Sequence, residues 1–352
     1  MYWKTDNMEI PAWDRHSLLG RLEPFDPSCA RDLSDEMVAY CRFYGLDLWV
    51  EHPDLVYHQG YVKACDHQIM VHYFRLPEQV NERGTVFILH GYFDHVGLYS
   101  QLIDRCLWAG FDVLAYDQPG HGLSSGTPAA IGSFLEYQGV LADVMAQVRG
   151  KVRQPWFAVG QSTGGAILID YLLSNQHNQR TSEFRKVVLL APLVRPAGWL
   201  GAKVLHSLIR PFISRWRRVF EENSGNSRFL RFLRECDPLQ ARAVHVDWVS
   251  ALRKWVPHIE SARPVDFPVT VVQGEKDLTV DWQHNLRIIR NKFSSVEELR
   301  IPDGRHHLVN EAQDLQETVF NTIIDTFTDS ASQAAGSLPK VFARNIRHRR
   351  KL

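Results

Sequence analysis

The 352-residue sequence lacks the features that mark secreted, membrane-spanning and nucleic-acid-binding proteins. Its 40 Lys and Arg residues are balanced by 40 Asp and Glu residues, so it has no overall basic excess for binding nucleic acid. The longest uncharged stretch near the middle, residues 154–169, is too short and too rich in glycine to span a bilayer. The five cysteines are scattered without a CxxC pair, so we expect free buried thiols and neither disulfides nor a metal site.

The two ends of the chain carry the remaining information on location. The first twenty residues contain acidic side chains and no continuous apolar segment, which argues against a secretory signal and favours the cytoplasm. Six Lys and Arg residues and no acid lie within residues 340–352, leaving 34 basic and 40 acidic side chains in residues 1–339. Such a tail either binds an anionic surface, which would place the protein peripherally on the inner face of the membrane, or is a solvated end.

From residue 55 onward, strand and helix patterns alternate along the chain. Strand patterns occur at residues 56–64, 68–76, 85–89, 111–116, 156–159, 187–190, 269–272 and 296–301. Helical patterns occur at residues 96–109, 134–148, 164–174, 282–292 and 310–327, and one more precedes this region at residues 32–44. The first two strands read as an antiparallel pair. The later strands are rich in Val, Ile and Leu and alternate with helices, which predicts an α/β fold with a mostly parallel, doubly wound sheet.

One segment interrupts the alternation. Residues 194–262 lack strand patterns and are rich in Trp, Leu and Arg, which predicts a helical cap at the ligand-binding edge of the sheet. The predicted organisation is listed in chain order: an N-terminal extension (1–54), the first part of the core (55–193), the cap (194–262), the second part of the core (263–328) and a basic tail (329–352).

The most specific motif is GQSTG at residues 160–164, which satisfies G-x-S-x-G. An apolar strand pattern precedes it and a helical pattern follows it, as a nucleophile on a strained strand-to-helix turn requires. Side chains at Gly160 and Gly164 would clash with such a turn. We therefore predict Ser162 as a nucleophile; the alternative is a tight structural turn.

A serine nucleophile needs a histidine as base and an acid to orient that histidine. In a strand–turn–helix site the chain order is serine, acid, histidine. The late histidines are His284, His306, His307 and His348. His348 lies in the tail, and His284 is expected to face solvent. His306 and His307, in the loop after the last predicted strand, remain as candidates.

The acid is predicted to be Asp277, in the turn after the strand at residues 269–272. Glu275 and Asp281 are its competitors. Asp281 has the position of a helix N-cap, and Glu275 comes early in the turn.

The negative charge of a tetrahedral intermediate needs backbone N–H donors. We predict the N–H of Thr163, directly after the nucleophile, and the N–H of Tyr92, in the loop where Gly91 permits a sharp turn. His90 and His95 in this loop are interpreted as structural hydrogen-bonding groups, because no third metal ligand has suitable spacing. The glycines of residues 120–126 miss the G-x-G-x-x-G spacing of dinucleotide sites, so we predict a tight loop and no cofactor.

Three blocks together resemble the α/β-hydrolase superfamily, and within it the group of bacterial lysophospholipases and monoacylglycerol lipases that is also labelled serine aminopeptidase-like. They are HGYFDH at residues 90–95, DQPGHGLSSG at 117–126 and HHLVNE at 306–311. Pro119 stands where this group usually has arginine. The resemblance covers residues 55–328 and implies an α/β-hydrolase fold with His306, the first histidine of its block, as the catalytic base. Peptidases of the family that release N-terminal proline usually carry HGGPG, which this chain lacks.

The predicted cap carries the information on substrate. Five Lys and Arg residues and no acid lie within residues 201–220, with Val204, Leu208, Phe212 and Trp216 at i, i+4 spacing. This pattern is typical of an interfacial helix, or of a helix packed on its own core with a solvated basic face. Pro211 is expected to bend or split it.

Three functions are compatible with these features. The favoured one is a serine esterase acting on a lysophospholipid or monoacylglycerol, with peripheral contact with an anionic membrane through the cap and tail. The second is a soluble carboxylesterase, and the third is a non-catalytic binding protein on a hydrolase fold.

Overall fold

A computed structural model of the chain describes residues 11–28, 32–80 and 83–332. The basic tail at residues 340–352 and Cys29 lie outside these ranges. Of the other cysteines, Cys41 and Cys106 are buried and Cys65 and Cys236 are half-buried, all as free thiols.

The described residues form ten strands and ten α-helices. The strands are β1 (Val56–Ala64), β2 (His67–Arg75), β3 (Thr85–Leu89), β4 (Asp112–Tyr116), β5 (Trp156–Gln161), β6 (Phe184–Leu190), β7 (Arg215–Arg217), β8 (Ala243–His245), β9 (Val265–Gly274) and β10 (Phe293–Ile301). The helices are α1 (Arg15–Arg21), α2 (Asp35–Tyr44), α3 (Ser100–Trp108), α4 (Phe134–Val148), α5 (Thr163–Ser174), α6 (Trp199–Ile209), α7 (Ser227–Arg231), α8 (Val246–Ser261), α9 (Trp282–Lys292) and α10 (Gln313–Ser332).

Eight strands form one sheet in the order β1-β2-β4-β3-β5-β6-β9-β10. The pairs β1–β2 and β2–β4 are antiparallel, and all other neighbours are parallel. Strands β3, β4 and β5 are buried along their whole length, which explains why their sequences are continuous apolar runs without alternation. The predicted mostly parallel, doubly wound sheet is confirmed.

Helices cover both faces of this sheet. Apolar side chains of α4, α5, α8 and α9 pack against one face, and those of α2, α3 and α10 pack against the other. Each face of the sheet therefore has its own hydrophobic layer. The edge formed by the carboxyl ends of the parallel strands is not covered by these helices, and the loops that follow the strands meet there.

The N-terminal extension is more regular than its sequence predicted. Helix α2 begins after Ser34, whose side chain accepts a hydrogen bond from the N–H of Met37, and it ends at Gly45 with a left-handed φ of 69°. Helix α1 was missed, because it has only seven residues and buries Leu18 alone, too little for a periodic apolar pattern.

The segment 194–262, which we call the cap segment, departs from the strand-free prediction. Helix α6 ends at Ile209, directly before the turn that contains Pro211, so the helix is interrupted there as expected. Trp216 therefore does not continue the helical stripe but lies in β7, which pairs with β8 in a two-stranded antiparallel sheet. Nowhere in the described ranges is there a helix both long and apolar enough to cross a membrane.

Candidate active site

The turn between β5 and α5 holds Ser162 in a strained conformation. Its φ is 53° and its ψ is −110°, a combination that side chains other than glycine rarely adopt. A Cβ atom added at Gly160 would lie 2.5 Å from the carbonyl carbon of Gly164, and one added at Gly164 would lie 2.0 Å from the oxygen of Leu89. Only glycine fits at these two positions, which accounts for the G-x-S-x-G spacing.

Three side chains from the carboxyl ends of three strands meet in one hydrogen-bonded line. The Oγ of Ser162 lies 2.9 Å from Nε2 of His306, and Nδ1 of His306 lies 2.7 Å from Oδ2 of Asp277. All three are buried. Because the carboxylate accepts the Nδ1 proton, Nε2 presents its lone pair to the serine hydroxyl. The structure thus brings the predicted nucleophile, acid and base together.

Asp277 and His306 each stabilise the charged form of the other. Oδ1 of Asp277 accepts hydrogen bonds from the N–H groups of Thr279 at 2.8 Å and Val280 at 3.1 Å. Burial would raise the pKa of Asp277, but His306 and these N–H groups outweigh it and lower the pKa. Burial would likewise lower the pKa of His306, but Asp277 outweighs it and raises that pKa above its usual value. The carboxylate is therefore charged at neutral pH and stabilises a protonated imidazole.

The competing acids are engaged elsewhere. Glu275 lies 3.3 Å from the guanidinium of Arg300. Asp281 caps α9 by accepting a hydrogen bond from the N–H of His284.

The expectation that His284 faces solvent is wrong, because its Nε2 lies 2.9 Å from a carboxylate oxygen of Glu260 in α8 and its ring is largely covered.

His307 occupies a different position from its neighbour. Its Nε2 lies 3.2 Å from Oδ2 of Asp94, and its ring packs on Phe229 of α7 with the ring centroids 4.7 Å apart. The geometry thus separates the two histidines, and only His306 reaches Ser162.

The two predicted oxyanion donors flank the nucleophile. Thr163 is the first residue of α5, and Tyr92 lies in the loop after β3. This loop packs directly on the nucleophile, because a Cβ atom at Gly91 would lie 3.4 Å from the Cβ of Ser162. Among the residues the structure describes, neither N–H group donates a hydrogen bond to a protein acceptor. Both are compatible with binding a developing negative charge.

The model of the family described as serine aminopeptidase, S33, matches residues 80–313. The chain belongs to this family.

Several curated relatives of the chain are named as lipid hydrolases. Human monoglyceride lipase is 28% identical over 252 residues, 68% of this chain and 81% of the relative. Phospholipase YtpA of Bacillus subtilis is 26% identical over 257 residues, 70% of this chain and 95% of the relative.

Solved structures agree on the fold. A soluble variant of monoglyceride lipase from Saccharomyces cerevisiae, solved with a substrate analogue, superimposes with a TM-score of 0.64 at 19% identity, covering 78% of this chain and 95% of that one. Monoacylglycerol lipase of Paleococcus ferrophilus gives a TM-score of 0.59 at 20% identity, covering 71% and 96%. The chain therefore has the α/β-hydrolase fold, and its sequence is similar to monoglyceride lipases.

Both ring nitrogens of His90, in the loop after β3, are engaged in hydrogen bonds. Nδ1 of His90 donates to the oxygen of Gly91 at 2.8 Å, and its Nε2 accepts from the N–H of Gln118 at 2.8 Å. Burial lowers the pKa of His90 to about 3, so it stays neutral. The segment at 120–126 is the predicted tight loop, with left-handed φ values of 73° at Gly120 and 50° at Gly122.

A buried carboxylate that sequence reasoning missed connects three parts of the chain. Oδ1 of Asp237, in the cap segment, accepts the hydroxyl proton of Tyr44 from α2 at 2.7 Å. Its Oδ2 lies 3.0 Å from Nε2 of His95, in the loop after β3. Burial would raise the pKa of Asp237, but His95 and these hydrogen bonds lower it. No local pattern could have found this contact, since His95 and Asp237 are 142 residues apart.

The cap segment also covers the loop after β3 with aromatic contacts. The ring of Trp248 in α8 stacks on Tyr92, with centroids 3.9 Å apart and planes inclined by 17°. The guanidinium carbon of Arg218 lies 3.9 Å from the ring centroid of Phe93. The loop that carries the Tyr92 N–H is therefore packed between the sheet and the cap segment.

The loop that carries His306 is held by hydrogen bonds within the loop and to neighbouring segments of the core. Gln161 Nε2 donates to the oxygen of His306 at 2.8 Å. Glu311 Oε1 accepts from the N–H of Arg305 at 2.7 Å, and Asn310 Nδ2 donates to the oxygen of Leu98 at 2.8 Å. These contacts fix the direction in which the imidazole points.

Proposed function

We propose that the chain hydrolyses the carboxylic ester of a single-chain lipid, a monoacylglycerol or a lysophospholipid, through an acyl-enzyme. The observation that carries the proposal is the continuous line of hydrogen bonds from Ser162 through His306 to Asp277, with distances of 2.9 and 2.7 Å. Relatives named as monoglyceride lipases and a phospholipase support the choice of a lipid ester.

Each group has a defined role in the proposed reaction. His306 takes the hydroxyl proton as Ser162 attacks the ester carbonyl, and it returns the proton to the leaving alcohol. Asp277 keeps the imidazole in the required tautomer and stabilises its charged form. The N–H groups of Tyr92 and Thr163 hold the oxyanion of the tetrahedral intermediate. Water then cleaves the acyl-enzyme by the same steps.

The cap segment supports the proposal that the enzyme works at a lipid surface. Four large apolar side chains on and after α6 are 62–84% exposed: Leu200, Val204, Leu208 and Phe212. Basic residues accompany them, as in helices that lie in the membrane interface. We propose that this segment is the cap of residues 194–262, and that with the tail it holds a cytoplasmic enzyme peripherally on anionic membrane.

An active-site label and a substrate panel test the function. An organophosphonate should react at Ser162, located by peptide mass, while Ser162→Ala should neither label nor turn over. Ser295→Ala, an exposed serine in β10, is the matched control and should behave as the unchanged protein. The panel compares monoacylglycerol, lysophosphatidylcholine and p-nitrophenyl esters.

The outcomes separate the candidate functions. Turnover of short soluble esters alone would replace the lipid substrate with that of a general carboxylesterase. Labelling at another residue, or full activity in Ser162→Ala, would contradict the enzyme mechanism.

A further inference from the structure

A cleft between α6 and α8 lies in the cap segment, and six of the seven described residues that line it are basic or carry a hydroxyl group. Its volume is about 620 Å³. Six of the side chains that line it are Arg210, Arg253, Lys254, His206, Ser207 and Ser250. No carboxylate is among the described residues that line the cleft. An uncompensated group of cations with hydroxyl donors has the chemistry of an anion site.

The guanidinium of Arg253 is held in place by neutral groups alone. Its Nη1 donates to the oxygen of Lys203 at 3.2 Å, to Nδ1 of His206 at 2.6 Å and to Oγ of Ser207 at 2.8 Å. Within the described ranges, its Nε and Nη2 have no hydrogen-bond or ion-pair partner. One edge of the planar group is therefore fixed, and the other remains for a bidentate oxyanion.

The histidine behind this arginine does not compete for the anion. Nδ1 of His206 accepts from Arg253, so its proton resides on Nε2, which donates to Oγ of Ser250 at 2.8 Å. The Ser250 hydroxyl in turn donates to the oxygen of Val246 at 2.8 Å. Burial and the neighbouring Arg253 lower the pKa of His206. A neutral histidine thus orients the guanidinium and leaves its positive charge unbalanced.

The cleft borders the exposed apolar face of α6. With about 100° between successive residues of a helix, Ser207 and Arg210 lie between the buried face, which holds His206, and the exposed face, which holds Val204 and Leu208. The phosphate of a lipid lies at the boundary between water and hydrocarbon. If the apolar face of α6 enters the membrane, the cations beside that face lie at the depth of the phosphates.

We propose that this α6–α8 cleft binds the phosphate of a phospholipid headgroup in the membrane that supplies the substrate. The inference rests on the lipid-surface function proposed above. None of Ser162, His306 and Asp277 is among the described residues that line the cleft, so a phospholipid bound there is an anchor and is not hydrolysed.

Two charge-matched variants test the site. The cleft variant combines Arg210→Gln with Lys254→Gln, and the control combines Arg215→Gln with Arg217→Gln. All four residues are exposed side chains of the cap segment, so each variant removes two positive charges, and unfolding curves check that both remain folded. Binding is measured by flotation with vesicles of phosphatidylcholine and phosphatidylglycerol, and binding of inorganic phosphate is measured by calorimetry.

A headgroup site predicts that the cleft variant binds vesicles about tenfold more weakly than the control variant, because it loses charge-assisted hydrogen bonds to a phosphate in addition to two diffuse charges. Inorganic phosphate should release the unchanged protein from vesicles more effectively than chloride at equal ionic strength. It should bind to the free control variant and not to the free cleft variant.

Three results would overturn the proposal. Equal losses in the two variants would mean that diffuse charge attracts the membrane. Phosphate binding in the cleft with no difference in vesicle affinity would identify a soluble phosphate as the ligand. Absence of any phosphate effect would remove the site. Turnover of p-nitrophenyl butyrate by the unchanged protein tests the hydrolase function separately, since an inactive protein with phosphate-sensitive vesicle binding would contradict that function alone.

Discussion

At the scale of single residues, Asp277 decides the protonation of the proposed base. Because Asp277 raises the pKa of His306 above its usual 6.5, the imidazole is charged at acidic pH and cannot accept the proton of Ser162. We predict that kcat/KM for a soluble ester rises with pH with a midpoint above 6.5.

Asp277→Asn tests the cause of that midpoint. Without the carboxylate, burial is the dominant influence and lowers the pKa of His306, so the midpoint should move to lower pH. The maximal rate should fall by about 10⁴-fold, because the imidazole loses its tautomer and orientation. A pH–rate profile of both proteins measures this, and an unchanged midpoint would contradict the assigned electrostatics.

The two adjacent histidines give a second prediction. His306→Ala should lower kcat by at least about a thousandfold, since it removes the proton acceptor of Ser162. His307→Ala should have a far smaller effect on kcat, because His307 contacts Asp94 and Phe229 instead. Measurement of kcat on the soluble ester compares the two variants, and thermal unfolding checks that both are folded. The reverse ranking would mean that the base is His307.

At the scale of strands and helices, the sequence was most informative where a function depends on neighbouring residues. The turn around Ser162 is local, so two glycines and the flanking strand and helix patterns were enough to find it. Asp277 and His306 follow the ends of β9 and β10, and parallel strand ends meet at one edge of the sheet. The geometry of His306 agrees with the choice that the family resemblance made between the two histidines.

Contacts between residues far apart in the sequence could not be predicted from local sequence patterns. The pairing of β7 with β8 joins residues about 28 apart across several turns, and neither three-residue strand is long enough to show alternation. The contacts of Asp237 with Tyr44 and His95 depend on how the cap segment and α2 pack on the core, which no local spacing encodes.

The buried carboxylate of Asp237 gives the prediction for this scale. Tyr44→Phe removes one of its hydrogen bonds and should lower the free energy of unfolding by about 1–3 kcal/mol. It should also lower kcat, because Asp237 and His95 hold the loop that carries the Tyr92 N–H. Denaturant unfolding and kinetics on a soluble ester measure the two effects.

Tyr57→Phe is the matched control for that variant. The Tyr57 hydroxyl lies within hydrogen-bonding distance of Nδ1 of His72, at 2.7 Å, in the same hydrophobic layer, so the stability loss should be similar while kcat stays unchanged. Equal kcat in both variants would show that the hydrogen bond of Tyr44 is structural only.

At the scale of the whole molecule, charge is distributed unevenly, and the tail accounts for six of the 40 Lys and Arg residues. Each such charge near an anionic membrane contributes about 1 kcal/mol at low salt. Deleting residues 340–352 should weaken sedimentation with anionic vesicles and reduce its salt dependence. Turnover of a soluble ester should be retained. Equal vesicle binding by the truncated and full-length proteins would identify the tail as a solvated end.

The position of Asp237 restricts how this enzyme can be recombined with its relatives. A graft without a carboxylate at position 237 would replace the segment between β6 and β9 and remove the only described carboxylate within hydrogen-bonding distance of His95. The recipient would then hold a buried imidazole without its hydrogen-bond acceptor, which would lower the free energy of unfolding by about 1–3 kcal/mol. An exchange of substrate specificity by cap grafting therefore requires that residues 44, 95 and 237 are transferred together.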